Sequence, residues 1–351
     1  MADRSIGPAV VERRGAISRR TSVLLRAAAI ALALVVGGLV FVLAGLPMAG
    51  SYRTMWNGSL GSSSALAQTL VASTPLILTG LAVVLARRAG LWNVGGEGQL
   101  YMGAVFATAV ALWFPNTPRL VLVPAMLAAG IFGGAVWALG PALLKTRVRI
   151  NEIISALLLN VLAILVVAHL VSGRWRDPLA LGFRVSRELP GNAAMPALFG
   201  TAVHAGFLIA LLAAVVLWLV PSWPGRNLRP HNLMVAMLAS GALAGIAGMG
   251  QVSAVTHRLG TDISANYGYV GIVVAALSWF SPLGVLVVAL PVGALLVGGF
   301  ALRNAGASAW VVAILQSSIV AIVLASELLA RYRFRWGVSQ QAQRASPELD
   351  K

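Results

Sequence analysis

Ten long apolar stretches, separated by short polar links, run through this chain of 351 residues. Hydrophobic residues make up 59% of the sequence and charged residues only 10%, whereas soluble domains carry about 25% charged residues. An apolar run of about 20 residues crosses a bilayer as a helix, which satisfies its own backbone hydrogen bonds. The sequence therefore predicts an all-α, polytopic membrane helix bundle. The ten predicted transmembrane helices cover residues 23–46, 69–86, 98–114, 120–144, 151–172, 204–221, 232–250, 267–281, 283–302 and 308–330.

The basic residues predict the topology of these spans. An even number of spans puts both termini on one side of the membrane. If that side is cytoplasmic, 18 of the 26 basic residues lie inside and 8 lie outside, as the positive-inside rule expects. The first apolar run is too long for a cleaved signal peptide, so we expect it to remain as the first span. The predicted regions are a basic cytoplasmic N-terminal segment at 1–22, a transmembrane domain at 23–335 and a disordered cytoplasmic tail at 336–351.

The stretch Gly90–Tyr101 interrupts the apolar pattern between the second and third spans. It holds glycines at Gly95, Gly96 and Gly98, together with one acid and two amides. Irregular backbone is tolerated at membrane depth only where protein surrounds it or water reaches it. The sequence therefore predicts a glycine-rich break before the third span, at the inner end of a solute pathway. A break that only stabilises the fold is an equally good interpretation.

Amides and one acid within or beside the spans are candidate pathway residues. Neutral amides both donate and accept hydrogen bonds, which suits an uncharged polyhydroxylated solute. They also join helices to each other in lipid, and both interpretations stay open. A buried acid is costly and usually faces the bundle interior or water. The predicted pathway residues are Asn93, Glu97, Gln99, Asn151, Asn160 and Gln251.

The sequence lacks the motifs of an enzyme. The run Gly140–Thr146 is not a phosphate-binding loop, because Leu144 stands where that loop needs a glycine before its lysine. The four histidines have no ligand spacing and cysteine is absent, so we predict no metal site and no cofactor in this chain. The net charge of +16 lies in short clusters between apolar runs without interleaved aromatic residues. This pattern indicates membrane topology rather than a nucleic-acid partner.

Five motifs together resemble the membrane permease subunits of bacterial ABC importers for nucleosides and simple sugars. The wider group includes ribose and branched-chain amino-acid permeases, and the nucleoside branch fits best. The motifs are Gly90–Gln99, Asn151–Asn160, Arg176–Pro178, Leu238–Gly248 and Tyr267–Leu277.

The resemblance implies a multi-pass protein of the bacterial inner membrane that forms the translocation pathway for nucleosides or related neutral solutes. It implies four partners: a separate ABC ATPase subunit that binds and hydrolyses ATP, a second related permease in a heterodimer, an extracytoplasmic solute-binding lipoprotein and the lipid bilayer. It leaves the exact solute and the choice between a homodimer and a heterodimer open.

One link departs from the family pattern. In the family, a cytoplasmic segment at this position forms a coupling helix that docks into the ATPase, and Arg226 and Arg229 match its start. The chain then passes directly to Pro230, and the link 222–231 is short and rich in proline. This departure raises one alternative, a subunit that keeps the fold but couples poorly or is passive within a heterodimer. A second alternative, from another class, is a secondary transporter in which Glu97 is the ion-coupled acid.

Overall fold

The structure is a computed structural model that describes residues 10–13, 19–198, 200–220 and 230–335. The chain divides into two units. One is built from Met1–Ser51 and Ala307–Lys351, and the other is Tyr52–Gly306. The predicted tail 336–351 and the basic residues Arg226 and Arg229 lie outside the described residues.

In the first unit, helix α1 packs against helix α11. Two short strands, β1 and β2, pair antiparallel with Val10 opposite Arg335. The two ends of the described chain are therefore held together within this unit. The bounds are β1 (Val10–Arg13), α1 (Arg19–Leu43), α11 (Ala309–Arg331) and β2 (Tyr332–Arg335).

The second unit is a helix bundle, and the division between the units falls within α2 (Met48–Ser59). Each of the ten apolar stretches coincides with a helix, namely α1 and α3 to α11, which confirms the predicted all-α bundle. The remaining bounds are α3 (Ser63–Arg88), α4 (Gly96–Trp113), α5 (Arg119–Leu143), α6 (Glu152–Ser172), α7 (Ala205–Leu219), α8 (Pro230–Gly250), α9 (Tyr267–Leu277) and α10 (Pro282–Asn304).

Six helices in the described part of the chain are long and apolar enough to cross a membrane: α3, α5, α6, α8, α10 and α11. A seventh crossing is counted if α1 and α2, which meet at a bend of 116°, form one span. Helix α9 has only 11 residues, which is about 16 Å against a hydrocarbon core of about 30 Å. These lengths show a multi-pass membrane protein and leave the count of ten crossings as a prediction.

Helices α5 and α8 approach each other most closely at glycines. A Cβ atom on Gly245 would overlap the carbonyl oxygen of Gly130, and one on Gly134 would overlap the carbonyl oxygen of Gly241. Small residues let helix backbones touch where lipid provides no hydrophobic drive for association. The small-residue runs of these two spans are therefore confirmed as packing surfaces.

The connection from α6 to α7 folds against the segment that follows α8. Residues 173–198 and 256–260 are together called the cap. Ser186 N donates to Leu259 O at 2.8 Å, and Leu259 N donates to Ser186 Oγ at 2.9 Å. Two segments far apart in the sequence thus form one ordered surface layer.

Ion pairs and one amide hold the cap in place. Arg258 makes ion pairs of 2.9 Å with both Asp177 and Glu188. Asn192 Nδ2 donates to Pro115 O at 2.8 Å, which ties the cap to the turn between α4 and α5. The cap therefore lies at the end of the bundle where α4 ends and α5 begins.

Candidate functional site

The glycine-rich motif begins with a short non-helical segment, residues 89–95, between α3 and α4. After Arg88 the chain turns at Gly90, whose φ of 75° suits glycine. Asn93 Nδ2 then donates to Ser240 Oγ at 2.6 Å, and that hydroxyl donates to Ala82 O at 2.6 Å. Ala82 lies six residues before the end of α3, or about 9 Å of helix. Helix α4 therefore begins inside the bundle rather than at its end.

Asn93 and Gln99 form a reciprocal amide pair across this segment. Nδ2 of Asn93 donates to Oε1 of Gln99 at 2.7 Å, and Nε2 of Gln99 donates to Oδ1 of Asn93 at 3.0 Å. Oδ1 of Asn93 also accepts from Gly95 N at 3.0 Å. With the bond to Ser240, the Asn93 amide fills all four of its hydrogen-bonding positions inside the protein. Both side chains are buried.

Asn160 ties α6 to the non-helical segment, to the start of α4 and to α9. Its Oδ1 accepts from Gly98 N at 2.8 Å, one of the N–H groups in the first turn of α4 that lack an intrahelical partner. Its Nδ2 donates to Val94 O at 2.9 Å and to Tyr269 Oη at 3.0 Å. One fully buried side chain therefore joins three parts of the bundle.

Glu97 lies where the N-termini of two helices meet. It is in the first turn of α4, and its Oε2 accepts from Gly268 N, in the first turn of α9, at 2.7 Å. The Ser264 side chain also hydrogen-bonds to it. Each helix N-terminus carries about half a positive charge, so both ends stabilise a carboxylate. In broken-helix transporters such ends point at an anionic substrate, whereas here the protein's own carboxylate occupies that place.

These five side chains, Asn93, Glu97, Gln99, Asn160 and Ser240, are called the junction. In the described part of the chain, two buried side-chain atoms have no hydrogen-bond partner, Thr108 Oγ1 and His204 Nε2. Neither belongs to the junction. Among all the residues that the structure describes, no three acids, histidines or cysteines lie close enough together to hold a metal ion. The junction is therefore suited to joining helices, because each of its buried side-chain polar atoms already has a hydrogen-bond partner within the protein.

Asn151 and Gln251 lie away from the junction. Asn151 is exposed, and its Oδ1 accepts from Ile153 N at 2.8 Å as the N-cap of α6. Gln251 is buried at the start of the π-helical turn Gln251–Val255. It lies eleven residues beyond Ser240, or about 16 Å along the helix. The structure thus brings together four of the six predicted pathway residues.

Four contributors to the junction are not among the residues predicted from the sequence, namely Ser240, Ser264, Gly268 and Tyr269. Ser240 sits in a run of small residues that was interpreted as packing. Gly268 and Tyr269 belong to the motif Tyr267–Leu277, which carried the family resemblance but contains no amide or acid. The signal available for Ser240 and Tyr269 was a polar side chain within a small-residue or glycine-rich motif. Gly268 contributes its backbone N–H, so its side chain gives no such signal.

Similar proteins were found along most of the chain. Residues 65–230 match the family described as the permease component of branched-chain amino acid transport systems. The chain is 32% identical over 331 residues to a glucose ABC transporter permease protein of Haloferax volcanii, covering 86% of this chain and 87% of that relative. It is 30% identical over 332 residues to the guanosine ABC transporter permease protein NupP of Bacillus subtilis, covering 88% and 95% respectively.

A second guanosine ABC transporter permease protein of Bacillus subtilis, NupQ, is 25% identical over 263 residues. That match covers 66% of this chain and 79% of the relative. No solved structure matches the chain.

Proposed function

The chain belongs to the family of ABC transporter permease proteins, and we propose that it is the membrane subunit of an importer for nucleosides or related neutral solutes. The observation that carries this proposal is the match along most of the chain to relatives named for guanosine and for glucose. Both solutes are uncharged and rich in hydroxyl groups. A pathway for such solutes needs neutral hydrogen-bonding groups and no buried net charge.

The proposed partners follow from the same family. A separate ATPase subunit binds and hydrolyses ATP, and an extracytoplasmic solute-binding lipoprotein delivers the solute. NupP and NupQ are two related permease proteins from one organism with the same named solute, which supports a second permease as the partner in a heterodimer. The names of the three relatives described above specify ABC transport. They therefore favour coupling to an ATPase over a secondary transporter. Coupling is assigned to the link 222–231, with Arg226 and Arg229 as its basic contacts.

The proposed topology has ten crossings with both termini in the cytoplasm of a bacterial inner membrane. The pairing of β1 with β2 supports placing both ends of the chain on one side. Helix α9 begins after the turns at 261–266 that follow the cap, and Tyr101 Oη of α4 donates to Thr261 O in these turns at 2.6 Å. In this topology the cap faces the outside, and the non-helical segment before α4 lies toward the cytoplasmic side.

We assign the junction a supporting role in transport. It holds the start of α4 against α6, α8 and α9, and so fixes the wall along which a solute moves. Its side chains form their hydrogen bonds mainly with each other and with backbone atoms. This supports a role in holding the helices together rather than direct contact with the solute.

Uptake of radiolabelled guanosine tests the proposed function. The gene for this chain is deleted in its native host and restored on a plasmid, with the partner genes intact. We expect deletion to abolish saturable guanosine uptake and restoration to recover it. Unlabelled nucleosides or sugars, added in excess, should reduce the uptake of labelled guanosine if the transporter also accepts them. Unchanged uptake of nucleosides and of sugars in the deletion strain would overturn the proposal.

Co-purification tests the coupling link. The tagged chain should retain an ATPase subunit whose ATP hydrolysis responds to the solute-loaded binding lipoprotein. Reversing both charges, Arg226→Glu with Arg229→Glu, should reduce the retained ATPase while the chain still assembles with its partner permease. Retention of the ATPase at the wild-type level by this double variant would remove the role assigned to the link.

A further inference from the structure

A crevice lined by ten apolar residues opens between α4, α5, the end of α6 and the cap, with a volume of about 460 Å³. Along α4 it runs from Val105 to Trp113, the last residue of the helix. Ala128 and Phe132 of α5 form the facing side, and Trp175 of the cap closes one edge. None of the lining side chains is charged, so the crevice is suited to an apolar occupant.

The crevice is a slot that runs along α4, which the proposed topology places across the membrane. Val105 and Trp113 are eight residues apart, or about 12 Å along α4. At the end away from the cap, Phe106 and Phe132 meet edge to face at 5.6 Å. The slot is therefore an apolar groove that runs along α4 from an aromatic pair to the cap.

The end of the crevice at the cap has the features of a lipid headgroup region. Trp113 is 68% exposed, and tryptophans gather where a bilayer meets water. Arg174 and Arg176 flank Trp175 in the cap and are both exposed. A guanidinium group binds phosphate through two parallel hydrogen bonds. The crevice thus has an apolar slot, then an exposed tryptophan, then two neighbouring arginines. This order matches the acyl chain, the interface and the phosphate headgroup of a phospholipid.

We propose that this crevice binds one anionic phospholipid. One acyl chain lies in the slot beside α4, and Arg174 and Arg176 hold the headgroup phosphate at the cap. The inference rests on the proposed function only in that α4 and α5 cross the membrane. A nucleoside does not suit the slot, because its hydroxyl groups would lose their hydrogen bonds to water without replacement.

Native mass spectrometry of the purified chain tests this site. The chain is titrated with phosphatidylglycerol or phosphatidylcholine, and the retained lipid is measured. Two variants remove its two halves: Ala128→Trp fills the slot from an exposed position, and Arg174→Ala with Arg176→Ala removes the phosphate contacts. We expect wild type to retain one phosphatidylglycerol, and both variants to bind it at least about tenfold more weakly. The matched control Arg184→Ala removes another exposed cap arginine and should stay within about twofold.

Three results would overturn the proposal. The first is that wild type retains no phosphatidylglycerol, or holds phosphatidylcholine equally well. The second is that both variants bind phosphatidylglycerol as wild type does. The third is that Ala128→Trp leaves lipid retention unchanged and instead prevents co-purification of a second permease, which would make the crevice a protein interface. Lipid binding does not depend on solute uptake, so failure here is distinct from failure of the proposed transport function.

Discussion

The junction and the cap are polar assemblies of the same helix unit, and they are built in opposite ways. In the junction, Glu97 is 2% exposed and Asn160 is fully buried, and their hydrogen bonds go to other parts of the bundle. In the cap, Leu179 and Leu181 are both 86% exposed and Phe183 is 73% exposed, close to several arginines. A surface of that kind is open to other molecules, whereas the junction is closed to them.

The physical consequence of this difference is a difference in sensitivity. A buried polar group left without its partner costs about 1–3 kcal/mol. An exposed ion pair is worth about 0–1 kcal/mol. Changes in the junction should therefore act on the stability of the bundle, while changes in the cap should act on what the bundle binds.

The largest effect is expected for Asn160→Ala in the junction. This change leaves the buried Gly98 N without a partner and removes the bonds to the half-buried Val94 O and Tyr269 Oη, which should together cost about 4 kcal/mol. The matched control is Asn151→Ala, which removes only an exposed helix cap worth about 1 kcal/mol. The two variants are compared by the apparent melting temperature of the purified protein in detergent. Equal losses of stability would contradict the difference between a buried junction residue and an exposed helix cap.

Glycine packing next to the junction gives the second effect. In Gly245→Ala the new methyl group meets the carbonyl oxygen of Gly130, and such overpacking should cost about 2 kcal/mol. The control Gly191→Ala adds the same methyl group in the cap, where nothing lies within 4 Å. The yield of monodisperse protein in size-exclusion chromatography should fall for Gly245→Ala alone. Equal yields for the two variants would contradict the close helix contact.

Arg258→Ala tests how far the cap depends on its ion pairs. Asp177 is 8% exposed and would lose a charged partner, so a loss of about 1 kcal/mol is expected. Glu188→Ala removes only the partner whose side chain is 66% exposed, and should cost about 0.5 kcal/mol or less. Melting curves at low and high salt measure both. A larger loss for Glu188→Ala would show that burial does not set the strength of these pairs.

The smallest effect on stability is expected at the cap tip. Replacing Leu179, Leu181 and Phe183 together by serine removes only exposed side chains, so the melting temperature should change by no more than the equivalent of about 0.5 kcal/mol. A loss as large as that of Asn160→Ala would mean that the tip is packed rather than open.

The sequence predicted the helices well, because membrane spans need long apolar runs and every predicted span coincides with a helix. It placed the end of the eighth span too late. Helix α9 ends at Leu277, since Trp279 and Phe280 take positive φ values of 60° and 55° and Ser281 caps the next helix with its side chain. Aromatic residues gave no warning of that turn.

The candidate site could be predicted only in part. Asn151 and Asn160 are the same residue type in one motif, yet one is an exposed cap and the other is fully buried. Burial depends on which face of α6 meets its neighbours, and an apolar helix surrounded by lipid carries no polar face that reveals this. The pairing of Ser240 with Asn93 joins residues 147 positions apart, which no local pattern specifies.

The most direct test of the junction's role is the Glu97→Gln variant, assembled with its partner subunits and measured for both melting temperature and solute uptake per assembled complex. We expect a loss of stability of about 1–2 kcal/mol, because the neutral amide no longer gains from the two helix N-termini. Uptake per assembled complex should stay within about twofold of wild type. An unchanged melting temperature with uptake reduced more than about tenfold would contradict a structural role for Glu97, and would place its side chain in contact with the solute.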